Sequence, residues 1–246
     1  MCRLLGVVPK GTSSVNPHFL ELFRGLALKG MVKPGSAPGH CDGWGIVAWG
    51  IFSPCYLGRE PVDASSDPKY EEAISKIRNG SLTSPMIAHL RKASIGTKRV
   101  ENTHPFVREN WAFAHNGTIR KLNLKDSTDS EWFFNCVIDE LKSCNRDPIT
   151  AIARQVEAVR EVYRYSSMNF LLSDGLTLYA YRDCLDNPEY YTMFYTKTKD
   201  AFVVCQEKIF EGQWKELENG QLLSIDRRLH YEVTDVHALL SQNVSA

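Results

Sequence analysis

One turn signal constrains the fold of this chain more than any other feature. Two apolar runs, at residues 169–173 and 176–182, flank the dipeptide Asp174-Gly175. An Asp-Gly pair between two such runs is a strong signal for a two-residue β-hairpin. We therefore expect antiparallel strands in the last third of the chain.

The remaining segments predict further strands and helices around this hairpin. Strands are expected at residues 3–8, 43–49, 85–91, 111–115 (stopped by Asn116-Gly117), 190–196, 201–206 and 220–226. Apolar residues at helical spacing and capping residues predict helices at residues 16–28, 67–78 and 148–163, and a helix that opens at Thr128. The chain has 246 residues and shows no convincing linker. We expect one domain, residues 1–246, of the α+β class.

Composition excludes several classes of function. Lys+Arg and Asp+Glu both number 29, and no basic stripe with interleaved aromatic residues is present, so binding to nucleic acid is not expected. The seven cysteines are scattered without CxxC spacing, which argues against a zinc finger and favours a reducing compartment. No stretch approaches the length of a membrane span or of a signal-peptide core. We expect a cytoplasmic protein without membrane contact.

Cys2 is the first candidate for chemistry. Removal of Met1 would leave one residue that carries both a thiol and a free α-amine. Such an amine titrates near neutral pH, at about 7.7–8.0, so it could accept the proton of the thiol. The plainer interpretation is a buried small residue that opens the first strand, and Cys2 alone favours that interpretation.

Three further segments carry polar residues beyond what turns require. Arg91 ends a buried strand, where its guanidinium could hold a carboxylate through two hydrogen bonds, or form a structural ion pair. Asn116-Gly117 could make a type I′ turn, or could supply an amide and a backbone N–H to an oxyanion. Asp129 lies at a predicted helix start, where it is favourable near the helix dipole or could face a ligand ammonium group.

Histidines beside these segments leave a metal site open as a minority interpretation. His40 and Asp42 flank Cys41, but adjacent side chains point in different directions and rarely bind one ion together. We therefore expect His40 and Asp42 to shape a loop beside the site. A metal-dependent hydrolase that uses these two residues with His89, His104 and His115 is the least favoured alternative.

Taken together and in this order, the segments describe one pocket. It would hold a nucleophile, a carboxylate anchor, an oxyanion hole and an ammonium anchor. A ligand with an α-carboxylate, an α-amine and a distal amide fits such a pocket. Glutamine or a γ-glutamyl amide is the obvious candidate, and no cofactor or metal is needed.

At this point the sequence resembles the class-II glutamine amidotransferases, which are N-terminal-nucleophile hydrolases, and within them a small stand-alone subgroup. The resemblance covers roughly the first 140 residues. The matching segments are residues 1–6 (MCRLLG), 42–46 (DGWGI), 89–91 (HLR), 101–106 (ENTHPF), 114–117 (AHNG) and 128–131 (TDSE). The sequence departs from synthase-fused members at Lys92 and Ile95.

The resemblance implies a fold and a set of roles. The fold would be a four-layer αββα sandwich of two antiparallel sheets between helices. Cys2 would be the nucleophile, with its own amine as base, and Asn116 with the Gly117 N–H would form the oxyanion hole. Substrate would be bound by Arg91, Ser94 and Asp129. The supporting loop residues would be His40, Asp42, Trp44 and His104.

The expected activity is hydrolysis of the γ-amide of glutamine or of a γ-glutamyl compound through a thioester on Cys2. Two alternatives remain open. One is a catalytically silent regulatory or binding module on the same fold, since a retained Met1 would block the amine. The other is a subunit that donates ammonia to a separate synthetase.

Overall fold

A computed structural model describes residues 2–50, 53–80, 82–94, 96–122, 124, 127–145 and 147–243, without the side chains of 242 and 243. Its helices are α1 (His18–Lys29), α2 (Pro68–Asn79), α3 (Asp129–Ser143), α4 (Pro148–Val162) and α5 (Val236–Asn243). The strands are β1 (Arg3–Pro9), β2 (Gly43–Trp49), β3 (Pro54–Glu60), β4 (Met86–Arg91), β5 (Phe106–Arg108), β6 (Trp111–Ile119), β7 (Tyr165–Ser173), β8 (Thr177–Arg182), β9 (Phe194–Lys197), β10 (Ala201–Cys205), β11 (Lys215–Glu216), β12 (Gln221–Asp226) and β13 (Tyr231–Asp235).

Two antiparallel sheets form the centre of the molecule. The first has the strand order β11-β9-β10-β1-β4-β2-β3, and the second has the order β13-β12-β8-β7-β6-β5. Their facing sides share a core that includes Leu4, Ile87, Ala114 and Leu171. Helices α1 and α2 pack on the outer side of the first sheet, and α3, α4 and α5 on the outer side of the second. The predicted four-layer αββα sandwich is confirmed.

Capping residues explain where three helices begin. The Asp67 carboxylate accepts a hydrogen bond from the Lys69 N–H, and Asp147 does the same for the α4 N-terminus. The Thr128 hydroxyl accepts from the Glu131 N–H at 3.2 Å, as the capping-box spacing predicts. The predicted hairpin at Asp174-Gly175 is also present, between β7 and β8.

Two predicted strand limits are wrong. Strand β6 does not stop at Asn116-Gly117 but continues to Ile119, because its ladder with β7 extends through a bulge beyond Gly117. The strand predicted at residues 190–196 begins only at Phe194. Strands β3, β5, β11 and β13 and helix α5 were not expected, since most of them are short or exposed. No helix in the described part of the chain is long and apolar enough to cross a membrane.

Candidate active site

Cys2 directly precedes β1, a strand at the centre of the first sheet. Side chains alternate along a strand, so Cys2 shares the sandwich-facing side with Leu4 and Val8. Its backbone N–H donates to Asn116 Oδ1 at 3.0 Å, and its Sγ lies 3.7 Å from the Lys92 carbonyl oxygen. Burial raises the pKa of the Cys2 thiol, and the nearby charges of Arg91 and Arg3 act in the opposite direction.

Asn116 and Gly117 approach Cys2 from β6 in the opposite sheet. Asn116 is fully buried, and its Nδ2 donates to the Cys2 carbonyl oxygen at 2.9 Å. Gly117 is a position where only glycine fits, since a Cβ there would lie 1.8 Å from the Ser167 carbonyl oxygen. The continuation of β6 thus brings an amide side chain and a glycine backbone to Cys2.

The two predicted carboxylate-binding residues come from the end of β4 and the segment after it. Arg91 is 3% exposed and points between the sheets, with Nη1 donating to the Thr97 carbonyl oxygen at 3.1 Å. Ser94 is exposed, and its Oγ lies 3.1 Å from Thr118 Oγ1. Both residues border the same cavity as Cys2.

Asp129 is the first residue of α3 and is only 4% exposed. Its Oδ2 accepts from the Ile119 N–H at 2.8 Å, so one carboxylate oxygen anchors the end of β6 to the helix start. Asp129 also borders the cavity. An acidic side chain at this place can neutralise a buried cation, and the helix dipole favours its negative charge.

The cavity between these residues measures about 20 Å³, which is room for about one water molecule. Its wall contains a thiol, a guanidinium, a carboxylate and several hydroxyl and imidazole groups. The lining residues are Cys2, Arg91, Lys92, Ala93, Ser94, Asn102, His104, His115, Gly117, Thr128, Asp129 and Ser130. The structure therefore brings six predicted site residues to one cavity wall, with Asn116 directly behind Cys2.

Two of the predicted supporting residues act on neighbouring loops. His40 is fully buried, and its Nε2 lies 3.2 Å from the Met31 carbonyl oxygen, which closes the loop after α1. Asp42 accepts from the Ala93 N–H at 2.9 Å and forms an ion pair with Lys98. Burial favours a higher pKa for Asp42, but these hydrogen bonds hold its pKa below the ordinary value. Asp42 thus ties down the segment that borders the cavity.

Trp44 does not belong with the supporting loop residues. It lies in β2, and alternation along the strand turns its indole to the outer side of the sheet, toward α2. There Nε1 donates to Asp67 Oδ2 at 2.9 Å, and the ring lies 4.9 Å from that of Tyr70. Trp44 is a core residue between the sheet and the helix.

His104 lies at the cavity wall beside a second buried imidazole. Its ring centroid is 4.4 Å from that of His89, and neither ring has a hydrogen-bond partner among the described residues. Burial holds the pKa of both histidines well below the ordinary value, so both are neutral near pH 7. Among the described residues, no three His, Cys, Asp or Glu side chains form a group that could hold a metal ion.

Sequence reasoning missed several residues that surround the Cys2 main chain, and no local motif marks them. Gln206 Oε1 accepts from Asn116 Nδ2 at 2.9 Å, and the Tyr190 hydroxyl lies 3.5 Å from the Cys2 carbonyl oxygen. The Arg3 guanidinium is buried between Cys2 and Glu207, and it stacks on the Tyr190 ring. Met1, on whose removal the predicted chemistry depends, and Ile95 lie outside the described residues.

Comparison with known proteins identifies the family. The sequence profile described as "Glutamine amidotransferases class-II" matches residues 1–197. A Haemophilus influenzae protein provisionally named as a glutamine amidotransferase is 34% identical over 209 residues, which cover 77% of this chain and 65% of the relative. An Escherichia coli protein of the same provisional name is 31% identical over 199 residues, covering 74% of this chain and 72% of the relative.

Solved structures share the fold. A class-II glutamine aminotransferase domain protein from Silicibacter pomeroyi has a TM-score of 0.62 at 22% identity, covering 96% of this chain and 99% of that chain. The glutamine phosphoribosylpyrophosphate amidotransferase of Bacillus subtilis has a TM-score of 0.61 at 18% identity, covering 96% of this chain and 49% of that one. The chain spans a little less than two thirds of the length of its Haemophilus relative. It belongs to the class-II glutamine amidotransferases.

Proposed function

We propose that this protein hydrolyses the γ-amide of glutamine or of a γ-glutamyl compound, with Cys2 as the nucleophile. One observation carries the proposal. The main-chain nitrogen of Cys2 lies 3.0 Å from Asn116 Oδ1, while its side chain borders a cavity shared with Arg91 and Asp129. Once Met1 is removed, that nitrogen becomes an amine held beside the thiol.

The reaction can be written with the groups of this cavity. The thiol of Cys2 transfers its proton to the α-amine, and the sulfur bonds to the amide carbon. The oxyanion that forms is stabilised by Asn116 Nδ2 and the Gly117 N–H. The C–N bond then breaks, the amine returns its proton to the leaving nitrogen, and a γ-glutamyl thioester remains. Water, deprotonated by the same amine, adds to the thioester, and the thiol leaves.

The amine is the natural base for this thiol. Burial raises the pKa of the Cys2 thiol, so few thiolates form without a nearby proton acceptor. A terminal amine has a pKa of about 7.7–8.0. At pH values above this range most of the amine is unprotonated and can accept a proton. Asn116 Oδ1 fixes this nitrogen in place.

Charge complementarity supports the choice of substrate. The Arg91 guanidinium, with Ser94 beside it, suits an α-carboxylate, and the Asp129 carboxylate suits an α-ammonium group. The cavity holds about 20 Å³, less than any amino acid requires. Substrate binding must therefore displace part of the wall, and residues 92–94 are its longest continuous stretch outside a helix or strand.

A second candidate is a subunit that supplies ammonia to a separate synthetase. It is favoured by the match to an amidophosphoribosyltransferase, of which the chain covers only 46%. Both candidates use the same hydrolytic half-reaction; in the second, the leaving group is ammonia and a partner enzyme consumes it. In either case we propose that residues 1–246 form one such catalytic domain and that it works in the cytoplasm.

The test is glutamate release from glutamine and from γ-glutamyl anilides by the intact protein. We expect activity that is lost in Cys2→Ala, retained in the matched control Cys136→Ala and unchanged by a chelator. Cys136 is a half-buried thiol on α3. A processed protein that releases no glutamate from any of these substrates, or a Cys2→Ala variant with full activity, would refute the proposal and favour the silent module.

A further inference from the structure

Gln206 is a fully buried glutamine that no sequence motif marks, and it contacts the oxyanion side of the site. It directly follows β10, where its N–H donates to the Leu4 carbonyl oxygen at 3.3 Å. Its own carbonyl oxygen accepts from the Thr192 hydroxyl at 2.7 Å. The backbone is thus fixed on both sides, and the side chain reaches Asn116 Nδ2 with Oε1 at 2.9 Å.

This contact leaves both hydrogens of the Asn116 side-chain amide engaged. Oδ1 accepts from the Cys2 N–H, and Nδ2 donates to both the Cys2 carbonyl oxygen and Gln206 Oε1. A primary amide has two hydrogens on nitrogen, so both are in use. An oxyanion can receive a hydrogen bond from Asn116 only if one of these two bonds is given up.

The two bonds differ in how easily they can be given up. The Cys2 carbonyl oxygen is also approached by Arg3 Nη1 at 3.1 Å and by the Tyr190 hydroxyl at 3.5 Å. Gln206 Oε1 has no other donor among the described residues. Since an unpaired buried acceptor costs about 1–3 kcal/mol, the hydrogen on the Cys2 carbonyl oxygen is the one that moves to the oxyanion.

The orientation of the Gln206 amide follows from the same contact. If the amide were turned round, Nε2 would face Asn116 Nδ2, and two donors would meet. In the observed orientation Nε2 is buried without a partner in the described structure. An unsatisfied donor of this kind is uncommon in folded proteins, which indicates that the bond from Asn116 decides the orientation.

We infer that Gln206 is a positioning residue for the proposed reaction, on which this inference rests. Its Oε1 retains one hydrogen of Asn116 Nδ2 throughout the cycle and so holds the carboxamide where its other hydrogen meets the oxyanion. The gain is realised in the transition state, because the oxyanion exists only there. Gln206 should therefore affect kcat and leave KM nearly unchanged.

The test compares Gln206→Leu and Gln206→Met, which remove the acceptor, with Gln206→Glu, which keeps an oxygen there. We expect the two apolar variants to lose about 10- to 100-fold in kcat, less than the 10²–10³-fold typical of removing an oxyanion donor itself. KM should stay within about threefold, and Gln206→Glu should recover most of the loss. Gln155→Leu, the same substitution on the outer helix α4, is the matched control.

A double-mutant cycle tests whether Gln206 acts through Asn116. On an Asn116→Ala background, Gln206→Leu should cause no further loss of kcat, because it acts only through Asn116. Losses that multiply, or a folded Gln206→Leu protein with unchanged or higher kcat, would overturn the inference. Failure of both apolar variants to fold would also overturn it, since Gln206 would then be a structural residue. Wild-type protein without any glutamate release would instead refute the proposed function itself.

Discussion

Replacing Asp129 with asparagine tests the proposal that this carboxylate binds the α-amine of a glutamine-like substrate. Asp129→Asn changes one atom and removes the negative charge, while an amide oxygen remains to accept from the Ile119 N–H. Helix α3 loses a favourable N-terminal charge, worth about 0.3–1 kcal/mol. We therefore expect a folded protein with a small loss in the free energy of unfolding.

The effect on catalysis should be much larger. Asp129 is 4% exposed, so a substrate ammonium group beside it would be shielded from water. A hydrogen bond to a charged group contributes about 1.5–3 kcal/mol, and about 1.4 kcal/mol corresponds to a tenfold change. The kcat/KM for glutamine should therefore fall by about 10- to 150-fold.

A substrate without the α-amine separates recognition from structural damage. With 4-carbamoylbutanoate, which is glutamine lacking that amine, Asp129→Asn and wild type should have similar kcat/KM in a glutamate dehydrogenase-independent ammonia assay. Glu131→Gln, an equivalent substitution in the same helix turn, is the control for both substrates. An equal loss with both substrates, or no loss with glutamine, would refute the assigned role of Asp129.

Three further predictions concern residues that surround the candidate site. Glu207→Gln should lower the free energy of unfolding by about 1.5–3 kcal/mol in urea denaturation, because the buried Arg3 guanidinium loses its charged hydrogen-bond partner; a change below about 0.5 kcal/mol would contradict this. Gly117→Ala should reduce both folded yield and activity, since its Cβ would overlap the Ser167 carbonyl oxygen, and a wild-type melting temperature would argue otherwise. Burial keeps the pKa of His89 below its ordinary 6.5, so the unfolded chain binds the extra proton and stability falls as pH drops below 6.5. Denaturation at pH 6.5 and 5.5 gives the slope of the free energy of unfolding against pH. This slope should be smaller in His89→Gln than in wild type by up to about 1.4 kcal/mol per pH unit, whereas identical slopes would exclude a contribution from His89.

The predicted site residues that the structure places at the cavity lie in short local motifs. Arg91 and Asp129 stand at the ends of recognisable elements, and the hydrophobic pattern and the capping spacing locate those ends. Asn116-Gly117 shows the limit of such reasoning. Its turn preference is overridden by the ladder between β6 and β7, which continues past it with a bulge.

The residues that the sequence did not reveal depend on contacts between distant parts of the chain. Gln206 meets Asn116 across 90 positions, and Tyr190 meets Cys2 across 188. Neither lies in a motif, and only the pairing of β1 with β10 brings Gln206 to the site. Trp44 shows the reverse case, since a residue inside a motif proves to face the opposite side of its sheet.

Mass spectrometry of the purified protein, before and after treatment with a glutamine-mimicking diazo-ketone, tests the central claim most directly. The reagent alkylates a nucleophile that binds it as glutamine, and the other six cysteines serve as internal controls. We predict a mass that lacks Met1 and a single adduct on Cys2. A processed protein with no adduct on Cys2, or with the adduct on another cysteine, would contradict the assignment of Cys2 as the nucleophile of a glutamine-shaped site.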